Sequence, residues 1–515
     1  MPPRMPPTPT SGPVFHTASR AIPYEQDASL LFHRLAQSKD SLLLEAADIE
    51  SKKNLNCIAV LQAALKVTCR GQRVTATPLT EVGEAMMERL KDQLGGYFDG
   101  EAFAFSLSAK SDERERLRDV STAAVLRALQ LDAGYSTRDG ALPFVGGGFA
   151  YDYLETFEKL PAVGEGPNDY PDYEFVVAQT LLTIDHAAET AALHAVDLSE
   201  DAASASLAEL ASIEPQALEP APDRDRLVAE ASISDSEFRT IVSQLQNNVT
   251  SGDIYQVVPA RAFSLDCPDA FAAYRQLRET NPSPYMFYVR GADYELFGAS
   301  PESNLKFDAP SREVQLYPIA GTRPRGLNKD GSINHELDIR NELEMRTDNK
   351  EVAEHTMLVE LARNDLARVA VPQTRKVAEL LQVDRYSRVM HLVSRVTATL
   401  HEDYDALDAY RACMNMGTLT GAPKLRAMEL IRETEKTRRG SYGGAVGYLK
   451  GDGSMDNCIV IRSAYVKGGV AVVQAGAGVV RDSVPQAEAD ETLHKAYAVL
   501  HAITLAHNAK LEVVR

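Results

Sequence analysis

The stretch Phe175-Val-Val-Ala-Gln-Thr-Leu-Leu-Thr-Ile184, followed by a polar connection over 185–190 and the apolar run 191–196, reads as two strands joined by a short turn. Such a pair is an antiparallel hairpin signal. A second one precedes it, where residues 58–79 hold two apolar stretches broken at Arg70-Gly71-Gln72. Hairpin signals outnumber strand–helix–strand alternation along the chain. The pattern therefore predicts an α+β fold: a large α/β sandwich with mostly antiparallel sheets and flanking helices.

Working outward, 515 residues are enough for several domains, and 44% hydrophobic with 25% charged residues is ordinary for a globular protein. Residues 1–21 begin with a Pro-rich run and read as a disordered tail rather than a secretory signal. Residues 214–225 carry Pro215, Pro220 and Pro222 among acids and read as a linker. These divide the chain into an N-terminal regulatory or partner-binding region, 22–231, and a catalytic domain, 232–515. Lys+Arg number 54 against 73 Asp+Glu, a formal charge of −19, so nucleic acid is a poor ligand. No uncharged apolar run is long enough to span a membrane, and Cys57, Cys69, Cys267, Cys413 and Cys458 form no framework. Those features predict a reduced, cytoplasmic protein.

Chemistry concentrates in the second half. Asp348-Asn-Lys-Glu351-Val-Ala-Glu354-His355-Thr-Met-Leu358-Val-Glu-Leu361 lacks Gly and Pro and reads as a helix. Glu354 lies four and seven residues before Leu358 and Leu361, so it shares their apolar face, with Glu351 beside it. Carboxylates on an apolar face need a cation or a basic partner. A metal ion and an ordinary ion pair, with an arginine such as Arg346, are equally good readings here. Pro485-Gln-Ala-Glu488-Ala-Asp-Glu491-Thr-Leu-His-Lys495 opens a second helix, with Glu488, Glu491 and Lys495 on one stripe that continues into Val499 and Ala502. Glu354 and Glu491 together offer Mg²⁺ two oxygens, leaving room for waters and an anionic ligand. A plain Glu491–Lys495 salt bridge is the competing reading. Gln474-Ala-Gly476-Ala-Gly478 ends a strand pattern, and Gly417-Thr418-Leu-Thr-Gly421-Ala-Pro423-Lys424 leads into a helix; each alone is a turn as easily as an anion site.

Taken together, Ala299-Ser-Pro-Glu302-Ser, Pro318-Ile-Ala-Gly-Thr-Arg-Pro-Arg325, the Glu351-x-x-Glu354-His355 run, Gly417–Lys424, Ser441-Tyr-Gly-Gly-Ala-Val-Gly447 and Gln474–Gly478 resemble the motifs of the chorismate-utilising enzymes. Leu42-Leu-Leu-Glu45-Ala-Ala-Asp48 and Asn281-Pro-Ser-Pro-Tyr-Met286 narrow the resemblance to the large subunits of anthranilate synthases. It covers essentially everything after the first twenty residues.

The resemblance implies an activity: chorismate plus ammonia gives anthranilate and pyruvate, the first committed step of tryptophan synthesis. It implies Glu354 and Glu491 as Mg²⁺ ligands holding the ring carboxylate of chorismate, with Glu488 behind them. Tyr442, Arg462, Gly478 and Lys495 resemble the clamp on the enolpyruvyl carboxylate, with Gly476 nearby, and Gly321, Thr322 and Thr418 the substrate-shaping wall. Glu302 is the implied acid for the departing C4 hydroxyl, and His391 assists the later loss of pyruvate. Water-using members of the family carry a lysine where this chain has Gln256, and aminodeoxychorismate synthases one where it has Ala320. Both positions therefore favour direct attack by ammonia.

None of the five cysteines sits in a glutaminase-like glycine turn, so the resemblance implies a partner glutamine amidotransferase subunit, together in a heterotetramer. Leu44, Glu45, Ala46, Pro284, Tyr285 and Met286 resemble the family's tryptophan site, a feedback position distinct from the catalytic one. The family usually has serine where this chain has Ala46, which removes a hydrogen bond worth about 0.5–1.5 kcal/mol and predicts weaker inhibition. Two other readings compete: an aminodeoxyisochorismate synthase that stops before pyruvate loss, and a tryptophan-sensing subunit without turnover. Intact Glu302, Glu354, His391, Glu491 and Lys495 argue against the latter.

Overall fold

In the computed structural model, the described residues are 12–47, 55–136, 140–214, 217–328, 330, 332–385 and 389–515. Both hairpins form where the alternation places them. Leu55–Arg70 turns through Gly71 into Arg73–Pro78, and Tyr173–Asp185 pairs with Thr190–Asp197 from Thr180↔Ala195 to Asp185↔Thr190. Among the described residues, 22 strands are hydrogen-bonded into one connected, mostly antiparallel network, and helices pack on it. The exception in direction is Lys510–Val514, parallel to Arg226–Ala231.

Strands from distant parts of the chain interleave. Ser41–Ala47 lies between Leu55–Arg70 and Tyr285–Arg290, and Phe144–Phe149 pairs with Ala445–Lys450. The sheet thus runs across the position between 231 and 232. Of the expected tail 1–21, residues 1–11 lie outside the described residues, but His16–Ile22 is a strand in register with Thr190–Asp197 and is no tail. The proline-rich composition ends at Pro13, and the alternating segment beyond it saturates the open edge of its partner. Asp48 and Pro215 also lie outside the described residues; most of the linker stretch, 217–225, is neither helix nor strand.

Helix ends follow their local chemistry. Ser234 and Glu237 form a reciprocal capping box on Asp235–Thr250, and Pro485 opens Pro485–Ala506, where its missing N–H costs nothing. One apolar cluster joins Phe149, Tyr153, Tyr173 and Phe175 to Tyr410 and Ile459; another joins Phe32 and Leu43 to Tyr288, Phe297, Leu500 and Ile503. Each core draws on both ends of the sequence.

Ala445–Lys450 lies between Phe144–Phe149 and Met455–Ile459, and its contact with the latter is closed by glycine. A Cβ at Gly447 would lie 2.2 Å from the Asp456 carbonyl oxygen and 2.6 Å from the Asn457 Cα, both backbone atoms that cannot swing away. Gly447→Ala is expected to lower stability by about 1–3 kcal/mol. Urea unfolding checks this; an unchanged midpoint would refute the packing argument.

Candidate active site

The helix Asn349–Ala367 forms as its Gly- and Pro-free sequence predicts, and it buries His355, Leu358, Val359, Ala362 and Leu366. His355 Nε2 is 2.7 Å from the Ser394 Oγ on the strand Val389–Thr399. Burial pushes the imidazole down to about 4, so it is neutral and acts as a fixed strut between the helix of Glu354 and the strand of His391. Glu351 turns to Arg323 at 2.8 Å, the ion-pair alternative, though with Arg323 rather than Arg346, which pairs with Glu342.

Glu354 takes a different neighbour. Gln256, buried in the short strand Gln256–Val257, donates from Nε2 to Glu354 Oε1 at 2.9 Å. The Gln256 Oε1 is buried without a hydrogen-bond partner among the described residues. Gly478 closes this corner: a Cβ there would lie 2.7 Å from Gln256 Nε2 and 3.4 Å from Glu354 Oε1. A side chain at 478 would have to push the Gln256 amide away from its place.

Around the same turn stand the cations. Lys495 Nζ donates to the Gly476 carbonyl at 3.0 Å and pairs with Glu491 at 2.6 Å, so the predicted i,i+4 salt bridge does form, with both side chains part-exposed. Glu488, one turn earlier on the stripe, is buried. Tyr442 is buried with its hydroxyl at the Gly476 N–H, and burial pushes its pKa up to about 12. Burial lowers the pKa of Arg462, while nearby Tyr442, Glu491 and Glu302 counter the shift. Arg462 and Lys495 thus put positive charge beside the Gly476-Ala477-Gly478 turn.

On the other wall, Thr418, in the turn Gly417–Leu419, donates to Glu302 Oε1 at 3.1 Å. Glu302 is buried, and desolvation lifts its carboxyl to about 8 although Thr418, the Ile319 N–H, Arg462 and Lys495 all pull the other way. A small cavity continues from Glu302 and Thr418 along Leu358, Leu361 and Met416. Thr322 Oγ1 lies 2.9 Å from His391 Nδ1, fixing that ring by its inner nitrogen. Gly321 beside it has φ +80°, and a Cβ would lie 3.0 Å from Glu351 Oε2. His355 belongs to the quoted Glu351-x-x-Glu354-His355 run, but its pairing with Ser394 has no local signal, because it is a tertiary contact between residues 39 apart.

Among the described residues no three His, Cys, Asp or Glu side chains are grouped so as to hold a metal by themselves. Glu354 and Glu491 instead flank the Gly476–Gly478 turn, one at Gly478, the other through Lys495 at Gly476. Two carboxylates, with the unpartnered Gln256 amide oxygen beside one of them, are hard oxygen donors of the kind Mg²⁺ takes together with waters and a ligand anion. The residues present fit that ion.

The predicted tryptophan residues lie on two neighbouring strands, with Glu45↔Met286 and Ala46↔Tyr285 in register, Leu44 following and Pro284 just ahead. Glu45 is buried and held by the Tyr274 hydroxyl at 2.5 Å and by Arg278 at 2.8 Å. The Tyr285 hydroxyl donates to Asp456 Oδ1 at 3.2 Å. Ala46 brings no polar side-chain atom to this place.

Comparison with known proteins gives a consistent picture. The profile of the chorismate binding enzyme family matches residues 83–501. The chain is 50% identical to the anthranilate synthase component 1 of Vibrio parahaemolyticus, covering 95% of this chain and 93% of that one. With the Escherichia coli protein of the same name identity is 49%, over 95% and 96% of the two chains. Among solved structures it is similar to anthranilate synthase component I of Streptococcus pneumoniae, with TM-score 0.69 and 29% identity over 86% and 92% of the chains. The menaquinone-specific isochorismate synthase of Escherichia coli shares the fold, with TM-score 0.64 at 18% identity over 96% and 95%.

The elevated Glu302 carboxyl has two measurable consequences. At fixed free ammonia, turnover is expected to fall as pH rises through about 8, and Glu302→Gln to lose on the order of 10²–10⁴-fold in kcat. The folded carboxyl stays protonated from the ordinary 4.5 up to about 8 while the unfolded one ionises, so stability is lost as pH rises across that window. Glu302→Gln should therefore melt higher than the parent near the upper end, with the gap closing near the lower end. A pH-independent melting difference would contradict the assignment.

Proposed function

The chain belongs to the chorismate binding enzyme family, and we propose that it converts chorismate and ammonia to anthranilate, pyruvate and water, the first committed step of tryptophan synthesis. The observation that carries this reading is the Glu302 carboxyl, buried and protonated at neutral pH beside Thr418. A carboxylic acid in that state can hand a proton to a departing hydroxyl, which a carboxylate cannot.

Chorismate is a dianion, and the site meets it with Lys495 at the Gly476 carbonyl, the Tyr442 hydroxyl held at the Gly476 N–H, and Arg462 near Tyr442. Glu354 and Glu491, with Glu488 behind, would hold Mg²⁺, which when bound supplies positive charge for the ring carboxylate. Ammonia adds at C2, the ring double bonds shift, and the C4 oxygen leaves as water with the Glu302 proton. Gln256 and Ala320 fit this attack: neither offers an amine to activate water or to bond covalently to the ring. His391, oriented by Thr322, then assists removal of the C2 proton as the C3–oxygen bond to pyruvate breaks and the ring becomes aromatic.

The ammonia comes from a separate glutaminase subunit, a reading supported by the component 1 name of the relatives and by the settings of the cysteines, all five of which are buried. Among the described residues no helix is long and apolar enough to cross a membrane, in keeping with a cytoplasmic pathway enzyme. Tryptophan acts at the paired strands carrying Leu44, Glu45, Ala46, Tyr285 and Met286.

Purified chain given chorismate, Mg²⁺ and ammonium should yield fluorescent anthranilate with equimolar pyruvate; replacing ammonium by glutamine should abolish both. Amination without pyruvate would favour the aminodeoxyisochorismate reading, and efficient use of glutamine by the chain alone would remove the partner. Ala46→Ser is expected to tighten tryptophan inhibition about two- to twelvefold. An unchanged inhibition constant would show that Ala46 only packs.

A further inference from the structure

Arg439, outside the residues assigned above, is 2% exposed, and its guanidinium is committed in several directions at once. Nε donates to Glu435 Oε2 at 2.9 Å and Nη2 to Glu435 Oε1 at 2.6 Å. Nη1 reaches the Leu419 carbonyl at 2.7 Å, and Nη2 also reaches the Val258 carbonyl at 2.7 Å. Its carbon lies over the ring of Tyr151, 4.5 Å from the centroid, and 5.6 Å from that of Tyr442. Glu435 Oε1 in turn accepts the Ala260 N–H at 2.8 Å.

The segments gathered here are telling. Leu419 directly follows Thr418, the partner of Glu302; Val258 stands two residues after Gln256, the partner of Glu354; Tyr442 stands three residues after Arg439 itself. Three stretches distant in sequence, each carrying a group of the candidate site, are referenced to one planar cation. A buried ion pair is a weak source of stability for its cost in desolvation, so a pair whose arginine is fully buried and whose glutamate is mostly so is better explained by the geometry it imposes. Lysine could not replace it, since a single ammonium cannot span two carbonyls and grip a carboxylate bidentately.

Building on the chorismate-converting reading, we infer that Arg439 is a positioning residue, setting Thr418, Gln256 and Tyr442 against one another so that the proton donor and the nucleophile side of the substrate stay in register. Small misplacements of such groups lower turnover on the order of 10²-fold.

The test compares Arg439→Lys, Glu435→Gln and Arg127→Lys in the full chain. Arg127 is a part-buried arginine that pairs with Asp405 and Asp408, neither of which belongs to the candidate site. All three should melt at lower temperature. At a temperature where each is fully folded by circular dichroism, Arg439→Lys should lose about 100-fold in kcat with a smaller change in KM for chorismate, and Glu435→Gln about tenfold. Arg127→Lys should keep the parent kcat. A crystal structure of Arg439→Lys should show the 3.1 Å Thr418–Glu302 contact broken. Folded Arg439→Lys with parental kcat, or with that contact intact, would overturn the inference. If Arg439→Lys does not fold, Glu435→Gln decides by the same two readings. A parent chain that makes no anthranilate would count against the functional reading, and the Thr418–Glu302 distance would still decide the positioning claim.

Discussion

Two backbones can approach as closely as Phe144–Phe149 and Ala445–Lys450 do only where side chains are absent from the contact. A Cβ at Gly148 would lie 2.7 Å from the Ala445 oxygen, and one at Gly444 would lie 2.0 Å from the Phe149 oxygen. The consequence reaches well beyond the seam. The loop that follows Arg439 runs along it, with Tyr151 N–H bonded to the Gly440 oxygen and Gly440 N–H to Asp152, and Tyr442 lies in that loop. Close glycine packing at this seam therefore helps set where the Tyr442 hydroxyl meets the Gly476 turn.

Charge is the second organising constraint. A chain with a formal charge of −19 has few cations in the proposed substrate site. Arg462 and Lys495 lie near Glu302 and Glu491, yet Glu302 remains protonated because burial outweighs their pull. Opposite protonation states a short distance apart are what acid catalysis on an anion requires: cations to hold the substrate, and a neutral acid to release its hydroxyl. Glu354, by contrast, accepts a hydrogen bond from the neutral amide of Gln256.

Much of this was readable from local pattern. Period-two alternation and the Gly71 turn locate the hairpins, and the absence of Gly and Pro locates Asn349–Ala367, because both signals depend on neighbours within a few residues. The Glu491–Lys495 pair is legible for the same reason. What local pattern does not carry is long-range register. Nothing in residues 41–47 says that they pair with Tyr285–Arg290, and the alternating segment after Pro13 is too short to distinguish an edge strand from a tail. The raised pKa of Glu302 is invisible locally too, since it arises from burial among segments brought from elsewhere in the chain, such as those of Leu358 and Thr418. Arg439 sits next to the quoted Ser441 run, and a paired arginine before glycine was the available signal, but its partners Val258 and Leu419 emerge only in the fold.

The interleaved strands also govern the order in which the protein can become active. Ser41–Ala47 emerges early from the ribosome, but its neighbour Tyr285–Arg290 follows only after a long interval, and Lys495 later still. Until then the inner edge of Ser41–Ala47 is an open row of amides and carbonyls, a template for pairing with the wrong chain. An N-terminal portion of the chain therefore holds no complete site: Lys495 and Glu491 join the segments of Gln256, Glu302 and Glu354 only when nearly the whole sequence is present.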